Sequence, residues 1–379
     1  MSPAPGPSPV VDADGHVLEP ADTWEKYIDP AYRDRAIRIA RDEQGYEVLL
    51  IDGQPLKTLR GALGALGGIE MDTTRLLTRG QMTYAEGSPA GGYDPVERLR
   101  VMDGEGIDSV LLYPTIGICW EGHVSDGGLA TAYTRAYNRW LADFCRTDPR
   151  RLHPVAHVSL LDPEGAVQET IRARRDGCVG IFLSPDLAAR GGRHFDDPLF
   201  ARFWETAQEL EMPIAFHVVV RDRQWFRQWQ RRDPSDALFS IAFLAIDVMA
   251  AFTQMLSAGM FERYPRLKCA VLEAGSNWIA AWLDRLDHKY RIMKDRTPLP
   301  PSAYFFRQCL ISADPDESVT AQMVEHLGAD YFIWASDYPH IDASFGVVRE
   351  LKERLSPLSE EARRKVLGQN AQRFYRLTG

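Results

Sequence analysis

Val10-Val11-Asp12-Ala13-Asp14-Gly15-His16-Val17-Leu18-Glu19-Pro20 is the stretch from which the rest of the chain is read. Val10 to Asp14 has the composition of a short buried strand, and Pro20 stops further pairing. Asp14 and His16, two residues apart, point to the same side of such a strand, and Glu19 follows in the loop. Two carboxylates and an imidazole packed this closely have the density of a metal-ligand set. Their other reading is structural, with Asp14 and Glu19 capping the next turn and His16 a core histidine. No glycine-rich nucleotide turn follows this strand, which argues against a doubly wound open sheet.

Seven further apolar strands are predicted at Ile107–Pro114, Pro154–Leu160, Cys178–Ser184, Pro213–Val218, Leu267–Glu273, Gln308–Ser312 and Tyr331–Ser336. Helical stretches such as Pro95–Glu105, Leu129–Thr147, Pro163–Asp176, Pro198–Leu210, Ala274–Tyr290 and Glu317–Leu327 alternate with them. Eight such units predict an α/β fold, a (β/α)8 TIM barrel, as one domain over residues 10–379. Polar residues fall at the strand ends: His217 on the fifth strand, Glu273 on the sixth, and Asp337 with His340 after the eighth. In a barrel these ends share one face with Asp14, His16 and Glu19, so four carboxylates and three imidazoles converge. That convergence points to a metal.

Residues 20–92 exceed a normal connection and are read as an insertion forming a small hairpin and a lid over the mouth. The hairpin pairs Ala36–Ala40 with Tyr46–Ile51, and the glycine-rich 61–68 and 87–92 stretches are expected to be mobile loops. Residues 1–9 read as a flexible tail, and Ser359–Leu377 as an amphipathic helical region that closes the barrel. The 379-residue chain carries 44 Lys and Arg against 53 Asp and Glu, a net charge of -9, which argues against nucleic acid as a partner. No run approaches the roughly 18 apolar residues of a membrane span. Five scattered cysteines suit reduced thiols in a cytoplasmic protein.

The chain resembles the amidohydrolase superfamily, in its amidohydrolase-2 branch with the aminocarboxymuconate-semialdehyde decarboxylase type. The resemblance rests on the opening DADGHVLEP, the Pro-x-Glu-Arg-Leu and Met-Asp-x-Glu-Gly-Ile-Asp run at residues 95–108, MPIAFHV, YPRLKCAVLEAGSNW, ASDYPH and the terminal GQNAQRFY. It implies a barrel with a divalent metal held by Asp14, His16, His217 and Asp337. The chain departs from that pattern by opening with Asp-x-His rather than His-x-His, by ending its fourth strand without a lysine, and by carrying Glu19, Glu273 and His340 in addition.

A carboxylate-rich set suits iron or manganese, and its inventory is that of carboxylate-bridged di-iron proteins. The D-x-H-x-x-E opening resembles the non-haem di-iron monooxygenase branch of these barrels, which includes a diterpenoid hydroxylase of platensimycin and platencin biosynthesis. That resemblance implies an oxidoreductase of secondary metabolism with two Fe ions held by Asp14, His16, Glu19, His217, Glu273, Asp337 and His340. Asp337, His217 and Glu273 would act in catalysis. The expected reaction is hydroxylation with O2 and an electron donor, on a hydrophobic small molecule carried as a CoA thioester. The alternative is a mononuclear hydrolase or non-oxidative decarboxylase with one Zn or Mn.

Beyond His217, Arg221, Arg223, Arg227, Arg231 and Arg232 interleave with Trp225, Phe226 and Trp229. Arg221, Arg223, Trp225, Arg227 and Trp229 are candidate substrate contacts, the arginines for phosphates and the tryptophans for an apolar group. The same segment reads equally as a surface helix or subunit contact. The apolar Leu238–Met260 stretch with Trp278 and Trp282 suits a homodimer interface.

Overall fold

The computed structural model describes residues 8–220, 242–293 and 297–377. Its strands are β1 (Val11–His16), β2 (Arg38–Arg41), β3 (Glu47–Ile51), β4 (Gln54–Pro55), β5 (Ser109–Tyr113), β6 (Leu152–His157), β7 (Gly180–Leu183), β8 (Ile214–Phe216), β9 (Cys269–Val271), β10 (Cys309–Ala313) and β11 (Phe332–Trp334). Eight form one parallel sheet in the order β1-β5-β6-β7-β8-β9-β10-β11, with helices between them. Two backbone bonds join its edges: Asp337 N–H donates to Asp14 O at 3.0 Å and His16 N–H to Tyr338 O at 2.7 Å. The result is the expected (β/α)8 barrel, each of its eight strands overlapping a predicted one.

The barrel strands are buried on both faces, which is why their sequences are nearly continuous apolar runs. Helix starts are written locally. Asp94 accepts from Val96 and Glu97 N–H ahead of Pro95–Glu105, and Gly106, at φ 74°, ends that helix. Asp162 caps Pro163–Arg175 in the same way.

Within the insertion, β2, β3 and β4 make a three-stranded antiparallel sheet, one strand more than the expected hairpin. The glycine-rich stretches are not loose loops but a close-packed seam. A Cβ on Gly87 would lie 2.1 Å from Gly64 O, and one on Gly67 2.3 Å from Gly87 O, so the two segments touch backbone to backbone. The insertion also reaches the barrel mouth, where Leu18 N–H donates to Gly92 O at 2.7 Å and Tyr84 Oη–H to Glu19 O at 2.9 Å. The C-terminal helices pack on β11, where Trp334 Nε1–H donates to Leu367 O, and Tyr375 reaches the Tyr113 hydroxyl. The five cysteines are free and buried, and among the described residues no helix is long and apolar enough to cross a membrane.

Candidate metal centre

The pairing of β1 with β5 is irregular between Asp12 and Gly15, a bulge that turns Asp14 into the barrel beside His16. His16 Nδ1 lies 3.0 Å from Pro114 O and His217 Nδ1 2.8 Å from Val218 O. A carbonyl only accepts, so each Nδ1 carries a proton, and each ring in its neutral form directs an Nε2 lone pair inward. Those two Nε2 atoms face each other at 3.0 Å.

Carboxylates surround this pair. Asp14 Oδ1 is 3.6 Å from His16 Nε2 and its Oδ2 3.7 Å from His217 Nε2. Glu273 Oε2 is 2.8 Å from His217 Nε2, Asp337 Oδ1 is 3.3 Å from His16 Nε2, and His340 Nδ1 is 2.9 Å from Asp337 Oδ1. Donor atoms of His16, His217, Glu273 and Asp337 all lie within 4.8 Å of one another, and Asp337, His340 and Asp342 form an adjoining group. Glu273 and Asp337 both sit at positive φ, 47° and 53°, a strained backbone held at two carboxylates of one cluster.

Both oxygens of Asp14, both of Asp337 and Oε2 of Glu273 are buried without a hydrogen bond. Short contacts that are not aligned as hydrogen bonds, between lone-pair donors, are the arrangement that a shared cation satisfies. The protonation energetics agree. Burial, reinforced by Glu273 and Asp12 against the pull of His217, raises Asp14 to about 8. Burial, then Glu273 and Asp342, push Asp337 well above the carboxylate range. Burial and the neighbouring His340 and His217 hold His16 well below the usual histidine value. At His217 burial acts downward, but Glu273 and Asp14 outweigh it and raise the ring to about 9. The cluster has more buried negative charge than it can ionise unaided, and a divalent ion would relieve it. The residues present therefore fit a metal.

Glu19 is not brought into the cluster. Its carboxylate accepts from Thr115 N–H at 3.2 Å, Ile116 N–H at 2.8 Å and Gly117 N–H at 3.1 Å. His340 stands at the edge, its Nε2 2.9 Å from Thr115 Oγ1. Arg221, Arg223, Trp225, Arg227 and Trp229 lie outside the described residues.

Several supporting residues escape a reading of strand ends. Buried Asp12 accepts from Ser336 N–H and Oγ–H, tying β1 to the segment that carries Asp337. Arg98, also buried, donates to His16 O at 2.7 Å and lies over the Tyr338 ring. Arg98 belongs to the Pro-x-Glu-Arg-Leu run, the one sequence signal that pointed to it. Asp314 and Asp342 join Glu273 and Asp337 around a cavity of about 190 Å3.

The amidohydrolase family model matches residues 11–377. Gamma-resorcylate decarboxylase of Polaromonas sp. is 24% identical over 300 residues, covering 74% of this chain and 86% of that one. The 2-amino-3-carboxymuconate-6-semialdehyde decarboxylase of Dictyostelium discoideum is 22% identical over 292 residues, covering 74% and 76%. Among solved structures, an amidohydrolase of Mycobacterium avium subsp. paratuberculosis superposes with a TM-score of 0.81 at 22% identity, over 97% of this chain and 99% of that one. A dihydroxybenzoic acid decarboxylase of Polaromonas sp., with bound manganese and the inhibitor 2-nitroresorcinol, gives 0.65 at 18% identity, over 98% of each.

These likenesses correct the expectation of an iron-dependent monooxygenase. The two curated relatives named above are decarboxylases, the solved neighbour with bound manganese is one as well, and none of them points to iron, O2, an electron donor or CoA. The physical reason lies at Glu19: a carboxylate counted toward a two-iron set is spent on three backbone N–H groups. With the barrel, the strand-end cluster and a match running from residue 11 to residue 377, the chain belongs to the amidohydrolase family.

Proposed function

We propose that this protein is a metal-dependent, non-oxidative decarboxylase of a small aromatic or similarly unsaturated carboxylic acid. The observation that carries the reading is the pair of inward Nε2 atoms of His16 and His217, 3.0 Å apart and ringed by carboxylate oxygens without hydrogen bonds. Asp14, His16, His217 and Asp337 would hold one Mn or Zn, with Glu273 against His217. When bound, the ion supplies Lewis acidity that anchors and orients the substrate's oxygen groups.

The chain's own part is proton delivery. Asp337 is 17% exposed, and in the metal-free chain its burial beside Glu273 and Asp342 raises its pKa, which supports it as the group that carries the proton. That proton passes to the carbon bearing the substrate carboxylate, the bond to the carboxylate breaks, its electron pair returns to the unsaturated system and CO2 leaves. Asp337 is left as the carboxylate, with His340 Nδ1 2.9 Å from its Oδ1, and solvent re-protonates it between turnovers. No oxidant or reductant is consumed.

The cavity supports a restriction on the substrate. Glu273, Asp314, Asp316, Asp337, Asp342 and Glu350 line it, with no basic side chain among its described lining residues. A second carboxylate facing this wall would be repelled, so hydroxyl or amino substituents suit it better. The five buried thiols support a reducing, cytoplasmic setting.

The test is CO2 release by protein loaded with Mn(II) or Zn(II), over a panel of hydroxy- and aminobenzoic acids and amino-substituted dienoic acids. Release that EDTA abolishes, without oxygen uptake, is the expected result. Hydrolysis of an amide or ester, with no CO2 from any acid, would overturn the reading.

A further inference from the structure

We propose that Glu19 is a positioning residue whose carboxylate clasps the loop after β5, and that this one loop sets the orientation and tautomer of both His16 and His340. The inference rests on the reading of the cluster as a metal centre. Glu19 is fully buried, and its two oxygens take three consecutive backbone N–H groups, Thr115 and Gly117 on Oε1 and Ile116 on Oε2. Successive amides converging on one anion form a rigid concavity, so four chain positions become a single unit.

The outward groups of that unit serve the site. Pro114 O takes the His16 Nδ1 proton at 3.0 Å, which frees His16 Nε2 to face His217. Thr115 Oγ1 meets His340 Nε2 at 2.9 Å, which leaves His340 Nδ1 toward Asp337 Oδ1. The turn has little latitude. A Cβ on Gly117 would lie 2.4 Å from Pro114 Cβ and 3.2 Å from His157 Nδ1. Glu19 is itself held from behind, its backbone carbonyl accepting the Tyr84 hydroxyl from the insertion at 2.9 Å. Thus a carboxylate in the β1 loop governs two imidazoles through a segment nearly a hundred residues later.

The experiment uses the full chain with its histidine rings labelled with 15N, as wild type, Glu19→Gln and Thr115→Val. Ring nitrogen shifts report each tautomer, Mn(II) alone is the binding probe, and Tm controls for folding. In Glu19→Gln one side-chain oxygen becomes an N–H2 group that faces a backbone N–H, so the clasp opens. The expected result is displaced His16 and His340 signals together with Mn(II) affinity weaker by about 10–100-fold, the range for groups that orient ligands. Thr115→Val keeps the clasp and should displace His340 alone. The proposal is overturned if Glu19→Gln leaves both rings at their wild-type shifts, or if it lowers the number of Mn(II) bound per chain, which would make Glu19 a ligand. If wild type binds no Mn(II), the metal reading fails, and the ring shifts still decide whether the clasp exists.

Discussion

His16 and His217 meet Nε2 to Nε2 at 3.0 Å, each ring with its Nδ1 proton committed to a backbone carbonyl. Rings held this way would, when both are neutral, present lone pair to lone pair, which is repulsive unless a cation or a proton lies between them. The nearby Asp14 carboxylate, 1% exposed and without a hydrogen bond, makes a metal ion the better occupant.

Removing the metal should therefore remove the activity. Treatment with EDTA is expected to abolish CO2 release, and Mn(II) or Zn(II) to restore it. His217→Ala should lose more Mn(II) affinity than the 10–100-fold typical of an outer hydrogen-bond partner. Titration of the apo chain with Mn(II) measures this, and unchanged affinity would exclude His217 as a ligand.

The metal-free chain should lose stability as pH rises from about 5 to 9. Asp14 titrates at about 8 folded against 3.8 ordinarily, so its contribution is present below 3.8 and lost as pH rises through 8. His217, at about 9 against 6.5, contributes below 6.5 and loses that contribution as pH rises through 9. In both cases the folded state binds the extra protons. Thermal melts in EDTA should thus show Tm falling across this range, and Mn(II), which displaces those protons, should stabilise most at its alkaline end. A metal-free Tm that climbs from pH 6 to 9 would contradict the assignment.

Asp337→Asn separates proton delivery from binding. An amide cannot supply the proton, and kcat is expected to fall by about 10²–10⁴-fold, the usual contribution of a positioned acid. Saturation with Mn(II) should not rescue it. A variant that recovers wild-type kcat at high Mn(II) would show that Asp337 serves only to hold the ion.

Gly87→Ala tests the seam of the insertion. The new Cβ would fall 2.1 Å from Gly64 O, against backbone that has no side chain to swing away. A cost of about 1–3 kcal/mol or more is expected in urea unfolding. Mn(II) stoichiometry should stay at the wild-type value, because the seam lies outside the ligand cluster. A neutral substitution would mean that the two glycine segments can separate freely.

The barrel itself was legible from local patterns. A strand buried on both faces has to be apolar nearly throughout, so each of the eight announces itself within a few residues, and a polar residue at its C-terminal end marks the mouth. Asp14, His16, His217, Glu273 and Asp337 were all found this way, and they meet. Arg98, Asp12 and Thr115 were not, because their partners are His16 O, Ser336 and His340, groups that only the closed barrel brings near.

Glu19 marks the division most clearly. Its position, three residues beyond His16 and just before Pro20, established that a carboxylate stands at the mouth of the first strand. Whether that carboxylate meets a metal or a backbone was decided by the loop at Thr115–Gly117, whose three N–H groups reach it first. A side chain's type sets what it can accept, and that much is written along the chain. What it does accept depends on which donors are closest in space, and for a residue at a barrel mouth those come from strands far away in sequence.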